Sequence, residues 1–499
     1  MSRPYYISTA IHYPNGRPHI GHAYEMVAAD AIARFQRAQG RDVFFQTGTD
    51  EHGLKMVKTA RERDISPREL ADEMSSYFSE MADKLDISCD RFIRTSEPAH
   101  YAASQAIWQA MADAGDLYLD RYEGWYSVRD EAFYEEKELT GGEGGDKLSP
   151  QGTPVEWTAE ETWFFRLSKY QQPLLDLYNA QPDFIRPESR RNEIMRFVEG
   201  GLIDLSVSRT SFDWGVPVPG SPDHVMYVWV DALTNYLTGA GYPGDAERMA
   251  RYWPADLHLI GKDIVRFHAV YWPAFLMSAK LPLPKQVFGH GFLLNRGEKM
   301  SKSVGNVVDP MELADLYGKD ALRYFLLRDV SFGNDGTFSD EAIVTRANAD
   351  LSNSFGNLAQ RTLAFIAKNL DGMVEQGRAD PADDALIAEV HAACEGFDKA
   401  FADLALSQGI EAWMAGVFAC NQYIDAQAPW ALRKTDPERM HAVLGTLLKA
   451  IRRLATTIQP VVPGSAAILL GQLGPEDAAG FRIAPPIPIF PRLELKEEA

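Results

Sequence analysis

The opening of the chain alternates a strand pattern with a helix pattern, and this order restricts the fold more than any other feature. Residues 5–11 are a short apolar run typical of a buried strand, and a Pro-Asn-Gly turn follows at 14–16. From 21 to 39 apolar residues recur at helical spacing, Gly40 is placed to end that helix, and 43–46 indicate a second strand. A strand, a helix and a strand in this order predict an α/β fold with a parallel sheet.

The remaining chain divides into three regions with different sequence patterns. Beyond residue 115 aromatic and charged residues alternate, and the glycine-rich stretch 140–147 predicts a β-rich insertion with an exposed tip. The α/β pattern then resumes with a strand at 257–260, a helix at 265–278 and a strand at 287–292.

After about residue 340 no strand alternation is visible, so a helical bundle is predicted. The amphipathic stretches in this part are 341–371, 382–403, 405–428 and 436–458. From Pro460 a proline-rich tail is expected to wrap the surface.

Charge and cysteine content limit the possible functions. A formal net charge of -20 argues against general nucleic-acid binding, so any contacts with RNA would have to be local. The three cysteines, Cys89, Cys394 and Cys420, are far apart and form no CxxC pair, which argues against a disulfide framework and fits a reducing compartment. There is no run of eighteen apolar residues and no leader-peptide pattern, and a cytoplasmic protein is therefore expected.

The run His19-Ile20-Gly21-His22 comes after the first predicted strand and opens the first predicted helix. A helix N-terminus presents unpaired N–H groups and the positive end of its dipole, and both suit phosphate. Two histidines there can donate to phosphate oxygens, and Gly21 leaves room for a nucleotide ring. Two surface histidines near a cap are the alternative.

The run Lys299-Met300-Ser301-Lys302-Ser303 follows the last strand of the α/β region, within a polar loop over 295–306. Two lysines three residues apart can reach one polyphosphate, and the serines add donors. A solvated basic loop is the alternative for this motif taken alone.

Together the two runs resemble the HIGH and KMSKS signatures of class I aminoacyl-tRNA synthetases. The resemblance implies a Rossmann-type catalytic domain that activates an amino acid with ATP and Mg²⁺ and then transfers it to the 3′ end of tRNA. It assigns catalytic roles to His19, His22, Lys299 and Lys302. The nucleophile is the amino acid's own carboxylate, so the protein's task is to place and neutralise phosphate charge. The resemblance assigns further ATP contacts to Gly21, Glu25, Gly261, Asp263, Met300, Ser301 and Ser303.

Further runs resemble methionyl-tRNA synthetases in particular. They are Thr9–Gly16, Thr47–Gly53, Tyr227–Ala232, Gly261–His268, Asn357–Arg361 and Ala428–Trp430. This resemblance implies methionine activation to methionyl-adenylate, transfer to the terminal adenosine of tRNA(Met), and a role in translation initiation and elongation. The implied methionine pocket consists of Ala10, Ile11, Tyr13, Asp50, Trp229, Ala232, Leu233, Tyr236, Ile264 and His268.

Physical chemistry is consistent with that pocket. Asp50 would pair with the substrate ammonium, and aromatic side chains such as Trp229 pack well against a thioether. Ordinary core packing is the alternative for Trp229 and Ile264. Family members often carry proline where this chain has His12 and Leu233. Glu25 would face the adenine, or else it is a solvated helix acid.

The implied anticodon reader lies in the helical part and uses Asn357, Arg361, Pro429 and Trp430. Asn357 and Arg361 are four residues apart and share a helix face. Trp430 is expected on a stiff corner after Pro429, where a base could stack on it; packing within the bundle is the alternative. The basic residues expected to meet tRNA phosphates are Arg361, Arg433, Lys434, Lys449, Arg452 and Arg453.

Two departures from the family pattern bear on zinc binding and on oligomeric state. Many relatives carry zinc knuckles of CxxC pairs in the insertion, but Ser127 and Asp130 stand where the first pair would be, and the second pair is lost near 150–154. We therefore expect no structural zinc. Many relatives also extend into a dimerisation domain that this chain lacks, and a monomer is expected.

The resemblance also predicts the division of the chain. The expected domains are the first half of the Rossmann catalytic domain (1–116), an acceptor-end insertion (117–223), the second catalytic half (224–292), a KMSKS and stem-contact region (293–350), and an α-helical anticodon-binding domain with its tail (351–499).

Three other classes of protein share part of this pattern. Synthetases for isoleucine, valine and leucine usually carry a large editing insertion, for which the chain has no room, and a cysteine-specific enzyme would be expected to show zinc-binding cysteines. A nucleotidylyltransferase would not explain Trp430 or the helical half. A catalytically dead tRNA-binding protein would be expected to have lost a signature residue, yet both signatures are intact.

Overall fold

The computed structural model describes residues 3–127, 129, 132–142, 146–295, 297–298, 300, 307–477 and 480–495. The α-helices are α1 (Ile20–Ala38), α2 (Leu54–Glu62), α3 (Pro67–Lys84), α4 (Pro98–Asp113), α5 (Gln171–Ala180), α6 (Glu188–Glu199), α7 (Val228–Ala240), α8 (Ala246–Tyr252), α9 (Trp272–Ser278), α10 (Pro310–Tyr317), α11 (Lys319–Arg328), α12 (Asp340–Arg346), α13 (Asn357–Leu370), α14 (Pro381–Ala402), α15 (Leu406–Gln427), α16 (Pro429–Thr435), α17 (Pro437–Ile458) and α18 (Pro463–Leu473).

The strands are β1 (Pro4–Thr9), β2 (Asp42–Thr49), β3 (Arg91–Arg94), β4 (Leu117–Ser127), β5 (Ala132–Tyr134), β6 (Thr140–Gly141), β7 (Lys147–Leu148), β8 (Glu156–Phe165), β9 (Ile185–Arg186), β10 (Leu205–Ser206), β11 (Ser208–Arg209), β12 (Pro217–Val218), β13 (Ser221–Met226), β14 (Leu257–Gly261), β15 (Val287–His290), β16 (Leu293–Asn295), β17 (Gly336–Phe338), β18 (Met373–Glu375), β19 (Glu476–Asp477) and β20 (Gly480–Arg482).

The chain folds into two compact units. The first unit comprises Met1–Pro18, Gly40–Asp83 and Ser88–His290. The second comprises His19–Gln39, Lys84–Ile87 and Gly291–Ala499, so that α1 belongs to it. Among the described residues, no helix is long and apolar enough to cross a membrane.

A parallel sheet forms the centre of the first unit, as the opening strand–helix–strand pattern predicts. Its strand order is β3-β2-β1-β14-β15-β9, and each neighbouring pair is parallel. The strands are short apolar runs buried on both faces, as a parallel sheet requires. Large side chains from the strands and from α4, α7 and α9, including Tyr6, Trp108, Tyr236 and Trp272, form one core.

The predicted β-rich insertion is also confirmed. Antiparallel strands β10-β8-β4-β5 form a second sheet of this unit, in which β4 and β8 pair from Leu117↔Phe165 to Tyr126↔Glu156. The predicted exposed tip contains the short hairpin of β6 and β7.

The second unit is mainly helical. Its helices α13, α14, α15 and α17 lie within or follow the predicted amphipathic stretches closely, and α14, α15 and α17 bury apolar stripes against one another. At its centre Arg323 is fully buried, and its guanidinium donates to Asp30 Oδ2 at 2.7 Å and to the carbonyls of Leu85, Pro460 and Val461 at 3.0 Å. This ion pair joins α1 to α11.

Two predictions about the helical half are wrong. Residues 373–375, 480–482 and 476–477 form the small antiparallel sheet β18-β20-β19, although no strand was expected there. Such short strands show no local periodicity, and they form because distant segments of the chain pair with one another. The proline-rich tail was predicted to start at Pro460, but the helix α18 occupies 463–473 first.

Candidate active site

The carboxyl ends of β1, β2 and β14 meet at one edge of the parallel sheet. The Ala10 N–H donates to Leu259 O at 3.2 Å, the His12 N–H to Gly48 O at 2.8 Å, and the Asp50 N–H to His12 O at 2.9 Å. Residues 10–12 are therefore held between the two neighbouring strands, where the strand order reverses. This edge is where ligands bind in open α/β sheets. The Asp50 side chain is buried there.

Helix α7 carries four of the predicted pocket residues. Ala232, Leu233 and Tyr236 are buried in the core of the first unit. Trp229 is half-buried, and its indole stacks on Phe267 with ring centres 3.8 Å apart and planes 8° apart. The apolar face of α7 is therefore built from large, closely packed rings.

A hydrogen-bonded pair gives this apolar region one oriented polar group. The Tyr236 hydroxyl lies 2.7 Å from His268 Nε2, and His268 Nδ1 lies 2.9 Å from Ile264 O. A carbonyl can only accept, so in the neutral ring Nδ1 carries the proton and Nε2 accepts from Tyr236. Burial, together with the nearby His268, lowers the pKa of His258 well below its usual value, so the His258 ring that packs on Tyr236 is uncharged.

The other predicted ligand contacts of the first unit lie at the end of β14 or in the segments that follow β1 and β14. Ile11 and Tyr13 are half-buried, and the Tyr13 hydroxyl accepts from Met56 N–H at 3.3 Å. Gly261 is buried and Asp263 exposed; a Cβ on Gly261 would lie 2.7 Å from Asp263 Oδ1. A side chain at Gly261 would therefore displace the carboxylate.

The two departures from the family pattern sit in ordinary packing environments. Leu233 is 1% exposed within the core of the first unit. The His12 ring is buried and stacks on Phe78, with ring centres 5.3 Å apart.

Sequence reasoning missed a buried polar cluster beside the pocket. Glu51 receives two hydrogen bonds from Arg94, at 2.6 and 3.0 Å, and Asp231 lies between His52 and His100. Glu51, His52 and Asp231 are all within runs that match the family, directly beside residues assigned to methionine. The available signal was Asp231, an acidic residue within the otherwise apolar run Tyr227–Ala232, but it could not identify the histidines that bind it.

In the second unit, the residues His19 and His22 cap the start of α1. His19 Nδ1 accepts the Gly21 N–H and His22 Nδ1 accepts the His19 N–H, both at 3.0 Å, and the two rings stack 3.8 Å apart. Because both Nδ1 atoms accept, each neutral ring carries its proton on Nε2 and is a donor there. A Cβ on Gly21 would lie 2.9 Å from His19 Cε1.

The outcome differs among the remaining predicted ATP contacts. Glu25 is only 6% exposed, so the alternative of a solvated helix acid is wrong. Met300 is half-buried. The predictions for Lys299, Ser301, Lys302 and Ser303 lie outside the described residues.

The predicted anticodon residues come together on the second unit. The Arg361 guanidinium lies 5.4 Å from the centre of the Trp430 ring and also contacts Asp425 at 2.8 Å. Trp430 is 47% exposed, so the alternative of a packing residue inside the bundle is wrong. Asn357 is exposed and begins the helix that carries Arg361.

One detail of that prediction needs correction. Trp430 is not outside a helix: Pro429 is the buried first residue of the short helix α16, and Trp430 is the second. The expected corner exists one residue earlier, because Ala428 has φ 42° and ends α15. Proline at the first helical position has a φ suited to starting a helix.

Most of the predicted basic contacts are engaged with their own unit. Lys449 pairs with Glu476 at 3.1 Å, and Arg453 with Asp398 at 3.8 Å. The further protein contacts of this set are Arg433 with Asn369 and Arg452 with the carbonyls of Leu473 and Gly474. The phosphate contacts of these residues stay a prediction, and solvated helix faces are the alternative.

Where relatives carry a zinc knuckle, this chain has a cluster of hydroxyl side chains. Ser127 is buried with its Oγ 2.6 Å from Thr153 Oγ1, which lies 2.8 Å from Ser149 Oγ. Asp130 lies outside the described residues. Among the residues that the structure does describe, no group of three His, Cys, Asp or Glu side chains is placed to hold a metal ion. The absence of zinc stays a prediction.

This parallel sheet, its reversal point and the histidine-capped helix are features of a class I synthetase. Residues 5–363 match the family described as "tRNA synthetases class I (M)", and residues 373–482 match "Anticodon binding domain of methionyl tRNA ligase". The chain therefore belongs to the methionine–tRNA ligase family of class I synthetases.

Curated relatives and solved structures agree over the whole length. The chain is 59% identical to a methionine–tRNA ligase of Brucella suis, covering 99% of this chain and 98% of the relative. It is 54% identical to that of Mycobacterium tuberculosis strain H37Rv, covering 99% and 98%. The M. tuberculosis enzyme in complex with methionyl-adenylate superposes with a TM-score of 0.95 at 54% identity, covering 98% of this chain and 100% of that one. Its apo form gives a TM-score of 0.89 at 51% identity, covering 99% of each chain.

Proposed function

We propose that the chain is an ATP-dependent methionine–tRNA ligase that uses the pocket residues named above. The observation that carries the proposal is a buried carboxylate at the ligand-binding edge of the sheet, in the same unit as a cluster of packed rings. Asp50 supplies the carboxylate, and Trp229, Tyr236 and His268 supply the rings, with the Tyr236 hydroxyl oriented by His268. An amino acid with an ammonium group and an apolar, polarisable side chain matches that combination.

In the first step a methionine carboxylate oxygen attacks the α-phosphorus of ATP. The new P–O bond forms the methionyl-adenylate anhydride, and the bond to the β-phosphate breaks to release pyrophosphate. No protein base is required, because the nucleophile is already ionised. In the second step a ribose hydroxyl of the terminal tRNA adenosine attacks the methionyl carbonyl, and AMP leaves.

The pocket chemistry follows from the proton positions. Because His268 Nε2 accepts from Tyr236, the hydroxyl oxygen of Tyr236 keeps its lone pairs, and a rotation of its O–H would allow donation to a thioether sulfur instead. Asp50 would bind the ammonium by a charge-assisted hydrogen bond. A substrate with a charged side chain would be desolvated in this pocket without a partner.

The start of α1 supports phosphate binding by the second unit. His19 and His22 would each donate from Nε2 to a phosphate oxygen, adding to the positive end of the helix dipole. Their partners gain charge as pyrophosphate leaves, so these contacts should stabilise the transition state more than the ground state. Mg²⁺ would enter bound to ATP, and Lys299 and Lys302 would neutralise the same phosphates.

The helical unit would read the tRNA. Trp430 offers half of an indole face to an unstacked anticodon base, while Arg361 and Asn357 can donate to base edges. We further propose that the protein is a monomer and works in the cytoplasm.

Methionine-dependent ATP–pyrophosphate exchange by the purified protein tests the function. Exchange with methionine in the absence of tRNA is expected, and His22→Ala should lower kcat more than it raises the KM for methionine. The matched control is His391→Ala, since His391 is an exposed helix residue of the same unit. Exchange with a different amino acid, and none with methionine, would refute the assignment.

A further inference from the structure

The buried carboxylate of Asp231 in the first unit forms hydrogen bonds with two imidazoles. Asp231 Oδ2 lies 2.6 Å from His52 Nδ1, and Asp231 Oδ1 lies 2.6 Å from His100 Nε2. All three residues are at most 1% exposed. A carboxylate removed from water costs several kcal/mol unless it is paired and hydrogen-bonded, and each of its oxygens is met here by a ring nitrogen.

The outer nitrogens of both rings are anchored as well. His52 Nε2 lies 3.0 Å from the Tyr101 hydroxyl, and His100 Nδ1 lies 3.0 Å from Thr238 Oγ1. Burial, followed by the charge of Asp231, raises the pKa of Tyr101 to about 12, so Tyr101 stays a neutral phenol. Burial alone would raise the pKa of Asp231, but the charges and hydrogen bonds of the two histidines outweigh it and lower that pKa to about 2.

The cluster joins two elements that hold opposite ends of the proposed substrate. His52 is two residues beyond Asp50, at the carboxyl end of β2. Asp231 is on α7, two residues after Trp229 and five before Tyr236. The His52–Asp231 bond spans 179 residues of sequence and ties the ammonium-binding loop to the thioether-binding helix.

We propose that His52 and Asp231 are positioning residues that set the separation between Asp50 and Tyr236, and thereby match the pocket to the length of methionine. The proposal rests on the proposed function of that pocket. Neither residue needs to touch the substrate. A loose His52–Asp231 connection would leave both ends of the site intact but allow their spacing to vary, and misplacements near 1 Å can cost about 100-fold in rate.

The atoms of the two histidines suggest matched substitutions. In His52→Asn the amide nitrogen takes the place of Nδ1 and can still donate to Asp231, whereas in His52→Gln it takes the place of Nε2 and loses that bond. For His100 the order is reversed, because Nε2 is the atom that meets Asp231. His100→Gln keeps the bond, and His100→Asn loses it.

Methionine-dependent exchange with the full-length variants, with methionine and norleucine as substrates, tests the proposal. We expect His52→Gln to raise the KM for methionine about 10- to 100-fold and to leave the KM for ATP within about twofold. The preference for methionine over norleucine should also fall, because a directional contact to sulfur is weakened more by misplacement than apolar packing is. His52→Asn should restore most of the methionine KM. Urea unfolding of each variant controls for global damage.

The outcomes separate two failures. If the wild-type protein shows no methionine-dependent exchange, the proposed function is wrong. If the wild-type protein is active but His52→Gln and His52→Asn give the same methionine KM and the same preference over norleucine, positioning by His52 is refuted. If both variants of His52 fail to fold, Asp231→Asn decides, because it changes the other partner of the same bond: a wild-type methionine KM and a wild-type preference over norleucine in Asp231→Asn refute the proposal.

Discussion

Trp430 gives the most direct test of how the helical unit recognises tRNA. Its indole is 47% exposed, and its defined partner is the guanidinium of Arg361 at 5.4 Å. An exposed cation–π contact contributes about 0.5–1 kcal/mol, so with the partial burial Trp430→Ala should lower the free energy of unfolding by about 1–2 kcal/mol. A base stacked on the indole is worth about 1–3 kcal/mol. That range corresponds to a loss of roughly 5- to 150-fold in kcat/KM for tRNA charging.

Trp413 supplies the matched control in the same unit. It is fully buried, its Nε1 donates to Leu454 O at 3.0 Å, and it packs edge-on against Phe355. Trp413→Ala should therefore cost about 3–5 kcal/mol of unfolding free energy. Both variants are measured by urea unfolding, by methionine-dependent exchange without tRNA, and by aminoacylation of tRNA(Met).

The expected pattern is selective for Trp430→Ala: charging falls while exchange is nearly unchanged. The reasoning is refuted if charging and exchange fall equally, or if charging by Trp430→Ala equals that of the wild-type protein. In either case Trp430 does not read tRNA, and its exposure has another cause.

Four further outcomes are expected. Gly21→Ala places a Cβ 2.9 Å from the His19 ring and should lower the kcat of exchange by at least about tenfold, with little change in melting temperature. Arg323→Met leaves the buried Asp30 carboxylate with Arg34 as its one guanidinium partner and removes the donor to the carbonyls of Leu85, Pro460 and Val461, and it should cost about 3–5 kcal/mol in urea unfolding. The pKa of Asp231 is lowered from its ordinary value of 3.8 to about 2 in the folded protein, so its ionised form stabilises the fold above about pH 4 and this contribution is lost as the pH falls towards 2. The free energy of unfolding of Asp231→Asn should therefore fall less than that of the wild-type protein over the same pH window. Elemental analysis should find well below one equivalent of zinc, and chelation should not lower the melting temperature.

The fold was predictable wherever a pattern is local. The buried run of β1, the period of α1 and the stop at Gly40, which has φ 77°, all follow from neighbouring residues. The β18–β20 pairing was not predictable, because it joins 373–375 to 480–482 and neither stretch has the length to show alternation.

The candidate site shows the same division. Residue types in the two signatures and in the pocket indicated phosphate and an apolar amino acid, but the sequence could not place protons. That His19 and His22 carry theirs on Nε2 depends on which backbone N–H groups each ring accepts. The His52–Asp231 pair was out of reach for another reason: the partners are 179 residues apart, and each alone resembles an ordinary polar residue.

The division of the chain has a consequence during synthesis. Helix α1 belongs to the second unit and is buried over most of its surface, yet about 250 residues of the first unit, from Gly40 onward, separate it from Gly291, where that unit continues. At typical translation rates of about 5–20 residues per second, roughly 12–50 seconds pass between the synthesis of α1 and that of its partners from Gly291 onward. Asp30 likewise leaves the ribosome long before Arg323. A nascent chain of this kind should therefore bind chaperones during that interval, and a fragment that begins at Gly291 should fold poorly unless the α1 peptide is supplied with it.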